Sequence, residues 1–201
     1  MDPKHLLESF GTVGLIAIIF AETGLLIGFF LPGDSLLFTA GLLCASGVTK
    51  PVHLNLALVL PGVILAAIAG AEVGYLIGRR AGPALFSRPE SRLFKREHVD
   101  KARGVLDRYG AGRAIVLARF IPIVRTFLNP MAGVVGVEAR VFTAWNVVGG
   151  VAWAGGVTLA GFVLGSSVKN VDRYLYPIIA VIVIVSLIPV ALEARKSRHT
   201  P

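Results

Sequence analysis

Four ionisable residues lie within otherwise apolar stretches of this chain: Glu22, Asp34, Arg119 and Arg125. At the centre of a bilayer each charge costs about 2.5–3.5 kcal/mol, so four unpaired charges would cost on the order of 10 kcal/mol. That cost is comparable with the net stability of a whole protein, about 5–15 kcal/mol. If these stretches are embedded in a membrane, the four side chains must pair with one another or face water.

The residue types indicate which chemistry such a cluster could perform. Arginine stays protonated and offers five N–H donors in a planar fork, which suits a phosphate group better than a metal ion or a proton relay. Carboxylates can change charge, and an anion that engages a neighbouring arginine would favour protonation of the acid. We therefore expect Arg119 and Arg125 to bind a phosphate and Glu22 and Asp34 to balance charge or carry protons. The alternative is a set of buried ion pairs that only holds the fold together, although apolar packing would do this better.

The composition predicts the environment of these residues. The chain has 201 residues, of which 55% are hydrophobic and 16% charged, whereas an average soluble domain is about 45–50% apolar. Three runs without acidic residues, lysine or arginine, at 51–71, 141–168 and 174–192, approach or exceed the ~20 residues that cross a bilayer. The sequence predicts an all-α integral membrane protein formed by one domain, residues 1–201.

The net charge of +8 is concentrated in one segment. Residues 79–113 contain ten basic side chains against four acidic ones, which is typical of a cytoplasmic loop under the positive-inside rule. We expect this basic loop to be amphipathic and to lie at the membrane surface. No aromatic-interleaved basic patch supports a nucleic-acid partner.

Two segments are too charged and too broken to span a membrane as single helices. In residues 10–53, which we assign to a first helix near 10–22 and a re-entrant hairpin, Pro32 and Gly33 predict a turn over residues 31–35. In residues 114–137, Pro122 and Pro130 remove backbone donors, which leaves either a full crossing or a second re-entrant hairpin. Broken backbone survives at membrane depth only inside protein or beside a wet cavity.

Charge parity favours the second hairpin over a full crossing. If the basic loop is cytoplasmic and residues 114–137 return to the cytoplasm, the basic tail after residue 192 also lies inside, as its charge prefers. The resulting topology places both termini in the cytoplasm and predicts about four spanning helices. These are the helix near 10–22 and the helices at 54–78, 141–165 and 174–192.

The two broken segments resemble each other. "FLPGDSLLFTAG" at 30–41 and "FIPIVRTFLNPMAG" at 120–133 share a Phe, a Pro, a charge soon after it and a closing Ala-Gly. Because the predicted topology makes the hairpins enter from opposite sides, they would form an inverted repeat of the kind found in transporters. Such short matches also arise by chance.

The remaining candidates are weaker. Glu72 is either a third carboxylate of the cavity or a residue near the interface, and we slightly favour the interface. The aromatic side chains of Tyr75, Trp145 and Trp153 are expected to pack or to lie at the membrane interface. The glycines of 149–156 let helices approach closely and leave room for a homo-oligomer. No metal-binding, acyl-transfer or nucleotide-binding motif is present, so we expect neither an enzyme nor a cofactor or metal.

Several motifs in order resemble the DedA family of bacterial membrane proteins, relatives of the VTT-domain lipid scramblases: "FAETGLLIGFFLPGDSLLFTAG", "GYLIGRRAG", "ARFIPIVRTFLNPMAG" and "FTAWNVVGGVAW". The resemblance covers about residues 10–165. It implies two opposed re-entrant hairpins, a cytoplasmic-membrane location, and translocation of lipids such as undecaprenyl phosphate or phosphatidylethanolamine that depends on the proton-motive force. Its functional acids fall on Glu22 and Asp34 and its functional arginines on Arg119 and Arg125. Many members carry an Asp where this chain has Ala71, beside Glu72.

These observations lead to one functional expectation with two alternatives. The chain is expected to be a flippase- or scramblase-like translocase that recycles undecaprenyl phosphate or another phospholipid-like anion, with protons as coupled partners. The first alternative is a proton- or cation-coupled antiporter of a small solute, in which the arginines only neutralise the acids. The second is a membrane scaffold whose basic loop recruits partners.

Overall fold

The computed structural model describes residues 3–25, 33–45, 54–86, 104 and 108–167. Within these ranges the structure is helical and has no strand. Its helices are α1 (Pro3–Gly24), α2 (Gly33–Leu43), α3 (Leu56–Phe86), α4 (Ala111–Ala118), α5 (Pro122–Val135), α6 (Ala139–Gly150) and α7 (Gly156–Ser167). A π-helical turn, Val151–Gly155, joins α6 to α7 without a break, and we call this continuous unit α6–α7.

Two of these helical units are long and apolar enough to cross a bilayer. They comprise the 27 residues Leu56–Gly82 of α3 and the 29 residues Ala139–Ser167 of α6–α7, whereas about 17–25 residues suffice for a crossing. Gly11–Gly24 and Gly33–Leu43 are shorter apolar helices. The predicted helices at 54–78 and 141–165 are thus confirmed as apolar helices of spanning length. The predicted helix at 174–192 lies outside the described residues.

The two long units run antiparallel and cross at the middle of the bundle. As α6–α7 proceeds from Asn146 to Gly155, its partners on α3 move backwards from Glu72 to Ile64. Outer faces of both units present bulky apolar side chains to the surroundings. Exposed apolar surface of this extent marks a contact with lipid or with another protein.

The first hairpin consists of α1 and α2. Helix α1 runs parallel to α3, whereas α2 runs parallel to α7 and therefore opposite to α1. The contacts that set these directions are Ile16 with Gly62 and Gly24 with Gly70 for α1, and Phe38 with Gly161 and Ala45 with Gly165 for α2.

The second hairpin consists of α4 and α5. Helix α4 runs parallel to α6 and α5 runs parallel to α3, so these two helices are also antiparallel. The contacts that set these directions are Gly112 with Trp145 and Arg119 with Gly149 for α4, and Asn129 with Gly74 and Val134 with Gly82 for α5. The reversal occupies residues 119–121. The two hairpins enter the bundle from opposite ends, and their tips meet near Gly70 of α3.

The predicted helix near 10–22 corresponds to α1, which has 22 residues. The end of α1 lies beside Gly70, about the middle of α3, while Gly11 lies beside Leu54 at the end where α3 begins. Because α2 runs in the opposite direction to α1, α1 forms the first arm of the hairpin. That this helix spans the membrane ahead of a separate hairpin stays a prediction. The N-terminal end of α1 and the Arg79 end of α3 lie at opposite ends of the bundle.

The second arm of each hairpin, α2 or α5, packs on a long unit through the same kind of glycine contact. A Cβ added to Gly41 of α2 would overlap the Thr158 carbonyl oxygen of α7, and a Cβ on Gly133 of α5 would overlap the Tyr75 carbonyl oxygen of α3. The reciprocal contacts are Gly161 with the Phe38 carbonyl and Gly78 with the Pro130 carbonyl. Gly41 and Gly133 are the glycines that close the two similar sequence motifs. Only glycine permits backbones to approach this closely, so the second arm of each hairpin packs on the long unit of the other half.

The predicted turn residues have different outcomes. Pro122 is the first residue of α5, directly after the reversal at 119–121, a position where a proline loses no helical hydrogen bond. Gly33 belongs to the first turn of α2 rather than to a turn before it, and Pro32 lies outside the described residues. Pro130 lies inside α5 and does not end it, so that predicted turn was wrong. A proline removes only one helical donor, and Gly78 leaves room on α3 for the Pro130 carbonyl.

Apolar packing divides into two clusters along α3. One surrounds its first half, with Val59, Val63 and Ala67 packed against α1, α2 and the π-turn. The other surrounds Ala71 and Tyr75, where Tyr75 stacks on Phe142 of α6 at 4.4 Å between ring centroids. The polar cluster described next lies at the level between them.

Candidate functional site

Arg125 occupies the centre of the polar cluster at the hairpin tips. Its Nη2 atom lies 2.5 Å from Oε1 of Glu22, and its Nη1 atom lies 3.0 Å from Oδ1 of Asp34. Glu22 is the third residue from the end of α1, and Asp34 is the second residue of α2. The first hairpin thus supplies both acids and the second supplies the arginine. The guanidinium holds the two tips together through charge-assisted hydrogen bonds.

The members of this cluster differ in their access to solvent. The side chains of Arg125 and Glu22 are 4% and 1% exposed, whereas that of Asp34 is 47% exposed. Asp34 is therefore the acid that an external molecule reaches first. Glu22 lies behind it, with its carboxylate in the space that a side chain at Gly33 would need.

Trp153 completes the surroundings of Arg125. The indole ring lies under the guanidinium, with Cζ of Arg125 4.2 Å from the ring centroid. Its Nε1–H donates a hydrogen bond of 2.7 Å to Oδ1 of Asp34. Trp153 is 2% exposed and lies in the π-helical turn. Such turns are rare and occur often at functional sites.

Arg119 has a different set of partners. It follows α4 directly, is 2% exposed, and donates from Nη2 to Oδ1 of Asn146 and, at 3.5 Å, to the carbonyl of Ala67. Neither Glu22 nor Asp34 accepts a hydrogen bond from it. Among the described residues, its Nε and Nη1 atoms have no hydrogen-bond partner. The guanidinium is thus held by neutral groups and keeps unused donors.

Asn146 links Arg119 to Glu72. The Asn146 side chain accepts from Arg119 and donates from Nδ2 to Oε1 of Glu72 at 2.8 Å and to the carbonyl of Ile68 at 3.0 Å. Glu72 therefore lies at the level of the hairpin tips and belongs to the network of Arg119.

The structure thus places the sequence candidates in two groups. Glu22, Asp34 and Arg125 form one directly bonded cluster, whereas Arg119 and Glu72 belong to a neighbouring network built around Asn146. The sequence analysis missed two participants. Trp153 was expected to pack or to lie at the membrane interface, and no pattern in the sequence indicated its contact with Asp34. Asn146 was overlooked, although an amide in an otherwise apolar run is itself a signal.

The donors present do not suggest a bound metal. Within the described residues, no three side chains of His, Cys, Asp or Glu converge in a way that could hold a metal ion. The chemistry available is that of two buried guanidinium groups with three carboxylates near them. Such a set can bind an anion and can exchange one of its own carboxylates for that anion.

Comparisons with known proteins show which family the chain resembles. Residues 31–163 match the family model of the VTT domain. The chain is 45% identical over 211 residues to an uncharacterized membrane protein of Mycobacterium tuberculosis, covering 100% of this chain and 90% of that relative. It is 43% identical over 179 residues to protein DedA of Escherichia coli, covering 89% of this chain and 80% of that protein. No solved structure matches the chain. Together with the apolar helices of spanning length, these matches support a membrane protein.

Proposed function

This chain belongs to the VTT-domain family, as protein DedA does, and from that premise we propose that it is a membrane lipid translocase. Its cargo would be a phospholipid-like anion, with undecaprenyl phosphate the leading substrate. The protein would act as a transporter rather than an enzyme. It would reside in the bacterial cytoplasmic membrane.

The proposed placement in the membrane follows from the helix directions. With α3 and α6–α7 spanning the bilayer, the two hairpins would be re-entrant, each entering from one side and ending near the midplane. The charge of the basic loop at 79–113 would place it in the cytoplasm. The end of the bundle where α1 and α3 begin would then face outward, which revises the predicted cytoplasmic N terminus.

The observation that carries this proposal is the cluster of Glu22, Arg125 and Asp34 between the two hairpin tips, in which Glu22 and Arg125 are buried. A midplane charge cluster reached from opposite sides by two broken segments is the arrangement of a transporter. Purely structural packing would not require three charges there, since apolar side chains stabilise as well or better.

The same cluster suggests a cycle for a phosphate headgroup. Arg119 and Arg125 would hold the phosphate at the midplane while its acyl or prenyl chain stays in lipid. Asp34, displaced from Arg125, would take up a proton, and Glu22 would balance the charge that remains on Arg125. Release of the phosphate would restore the ion pairs.

Reconstitution in liposomes tests this function. The protein should move a labelled polyprenyl phosphate between leaflets, and Arg125→Ala should reduce the rate to that of protein-free liposomes. Arg140→Ala is a matched control, because Arg140 is an exposed arginine at the start of α6. A wild-type rate equal to that of empty liposomes would refute the proposal.

A second function is favoured by one specific contact. Arg125 is bonded to both acids at once, as expected if its task is only to neutralise them. The protein would then be a proton- or cation-coupled antiporter of a small solute. That function predicts ion-driven proton flux in liposomes of any lipid composition, without movement of labelled lipid.

A further inference from the structure

Two N–H donors of different side chains converge on one oxygen at the hairpin tips. Oδ1 of Asp34 accepts from Nη1 of Arg125 at 3.0 Å and from Nε1 of Trp153 at 2.7 Å. We infer that Trp153 and Arg125 form a subsite for one oxygen of a phosphate monoester, and that Asp34 occupies this subsite in the resting protein. The inference rests on the proposed function and deepens it by adding Trp153 to the residues that contact the substrate.

The chemistry of the two acceptors supports this substitution. Carboxylate and phosphate oxygens are both anionic acceptors, and both bind arginine in similar geometry at about 2.7–2.9 Å. An oxygen of the substrate can therefore replace Oδ1 of Asp34 while keeping both hydrogen bonds. The indole N–H is a donor only, so it favours a ligand that presents an acceptor oxygen over a cation.

Trp153 is held in place for this task. Its ring lies under the guanidinium of Arg125 at 4.2 Å, which fixes the two donors relative to each other through a cation–π contact. The surrounding apolar cluster includes Val63, Ala67 and Ala154. Because the donors are oriented before the anion arrives, little ordering remains to oppose binding.

Asp34 is the one member of the cluster that can leave. It is 47% exposed, whereas Arg125 and Trp153 are 4% and 2% exposed. It also lies in the first turn of α2, where its side chain can turn away from Arg125 without repacking a core. The buried Glu22 can keep its own contact with Nη2 of Arg125 while Asp34 is replaced.

The ligand class is a phosphate monoester, which could be lipid-borne or free. The test uses two soluble probes, farnesyl phosphate and inorganic phosphate, with the full-length chain in detergent and calorimetric titration as the readout. A second readout is available because the chain has two tryptophans. Trp145→Phe removes the partly exposed one and leaves Trp153 as the sole emitter, so a probe at the subsite should change its fluorescence directly.

Asp34→Ala should tighten the binding of farnesyl phosphate by about tenfold or more, because the internal competitor is gone. Adding Trp153→Phe should reverse most of that gain, by on the order of tenfold, since a hydrogen bond to a charged group is lost while a ring remains under Arg125. Glu72→Gln controls for the removal of a negative charge nearby and should change the affinity far less. Tighter binding of inorganic phosphate by the same factor would identify free phosphate as the ligand; an effect confined to farnesyl phosphate would identify a lipid headgroup.

Two results would overturn the inference: an Asp34→Ala protein that binds no tighter than wild type, or a gain that survives Trp153→Phe unchanged. Either result leaves the translocase proposal standing if the wild-type protein still moves labelled lipid in liposomes. Conversely, Trp153-dependent binding in a protein that moves no lipid would preserve the subsite and refute the translocase.

Discussion

Arg119 and Arg125 lie six residues apart at the tip of one hairpin, and both are almost completely buried, yet their surroundings differ. Arg125 is bonded directly to two carboxylates and lies on an indole ring. Arg119 is bonded to an amide oxygen and a backbone carbonyl and reaches the carboxylate of Glu72 only through Asn146. The sequence presents them as a pair, but the structure gives them different environments.

The two environments suit different steps of anion binding. Arg125, neutralised by two carboxylates, is stable at rest but must lose a carboxylate before it can bind an anion. Arg119, held by neutral groups, can bind an anion without losing a carboxylate, but it must be kept oriented. We therefore expect Arg125 to couple binding to the movement of its acids, and Arg119 to attract the anion first.

The largest expected effect comes from removing the neutralised arginine. Arg125→Ala leaves Glu22 as a buried charge without a partner, so the free energy of unfolding should fall by about 3–5 kcal/mol. Thermal or denaturant unfolding in detergent measures it. In a double-mutant cycle, Glu22→Gln should recover part of the loss, because the buried charge disappears together with its partner. An additive cycle would show that the short contact between the two side chains has no energetic weight.

Arg119→Ala should lower the free energy of unfolding less than Arg125→Ala does. Arg119→Ala leaves no uncompensated carboxylate in direct contact and orphans only the amide oxygen of Asn146, which costs about 1–3 kcal/mol. Lipid movement should nevertheless stop, because the receptive cation is lost. The informative measurement is therefore the loss in free energy of unfolding of Arg119→Ala relative to that of Arg125→Ala, under the same detergent conditions. An Arg119→Ala protein as unstable as Arg125→Ala would contradict the contrast between the two sites.

Much of this arrangement could be predicted from residue patterns, for physical reasons that are specific to a membrane. Charges are so costly in an apolar segment that Glu22, Asp34 and Arg125 were expected either to pair or to face water, and the structure pairs them. The shared Ala-Gly endings of the two similar motifs were noted from the sequence, and their glycines make equivalent close helix contacts.

Other features depend on which helix faces meet, and composition does not determine this. The packing of α1 along the first half of α3 could not be predicted, because residues 10–22 are apolar whichever helix they contact. Arg119 was expected to face the same acids as Arg125, but the sharp reversal at 119–121 turns its side chain towards Asn146. Trp153 is indistinguishable from a packing residue until Asp34 and Arg125 are placed beside it.

A smaller effect is expected from the residue that orients Arg119. Asn146→Ala removes the acceptor of Nη2 and the donor to Glu72, which should lower the free energy of unfolding by about 1–2 kcal/mol. Asn129→Ala is a matched control: Asn129 is also a buried amide, but its side chain donates to the Thr23 carbonyl and forms no hydrogen bond with the guanidinium of either arginine. If Asn146 positions Arg119, its variant should slow lipid movement well beyond the control at equal stability. Equal slowing in both would indicate only a loss of packing.

The smallest effect should follow a change that keeps the hydrogen bond and removes only the charge. Glu72→Gln retains an oxygen that can accept from Nδ2 of Asn146, so the free energy of unfolding should change by less than about 1 kcal/mol. The affinity for an anion should instead rise slightly, because the nearest carboxylate no longer opposes it across Asn146. Glu72→Leu provides the contrast, since it leaves the amide without that acceptor. If Glu72→Gln were as damaging as Arg125→Ala, the charge of Glu72 would have to be a direct counter-ion of Arg119 in a working state, and the two arginines would then be neutralised in the same way.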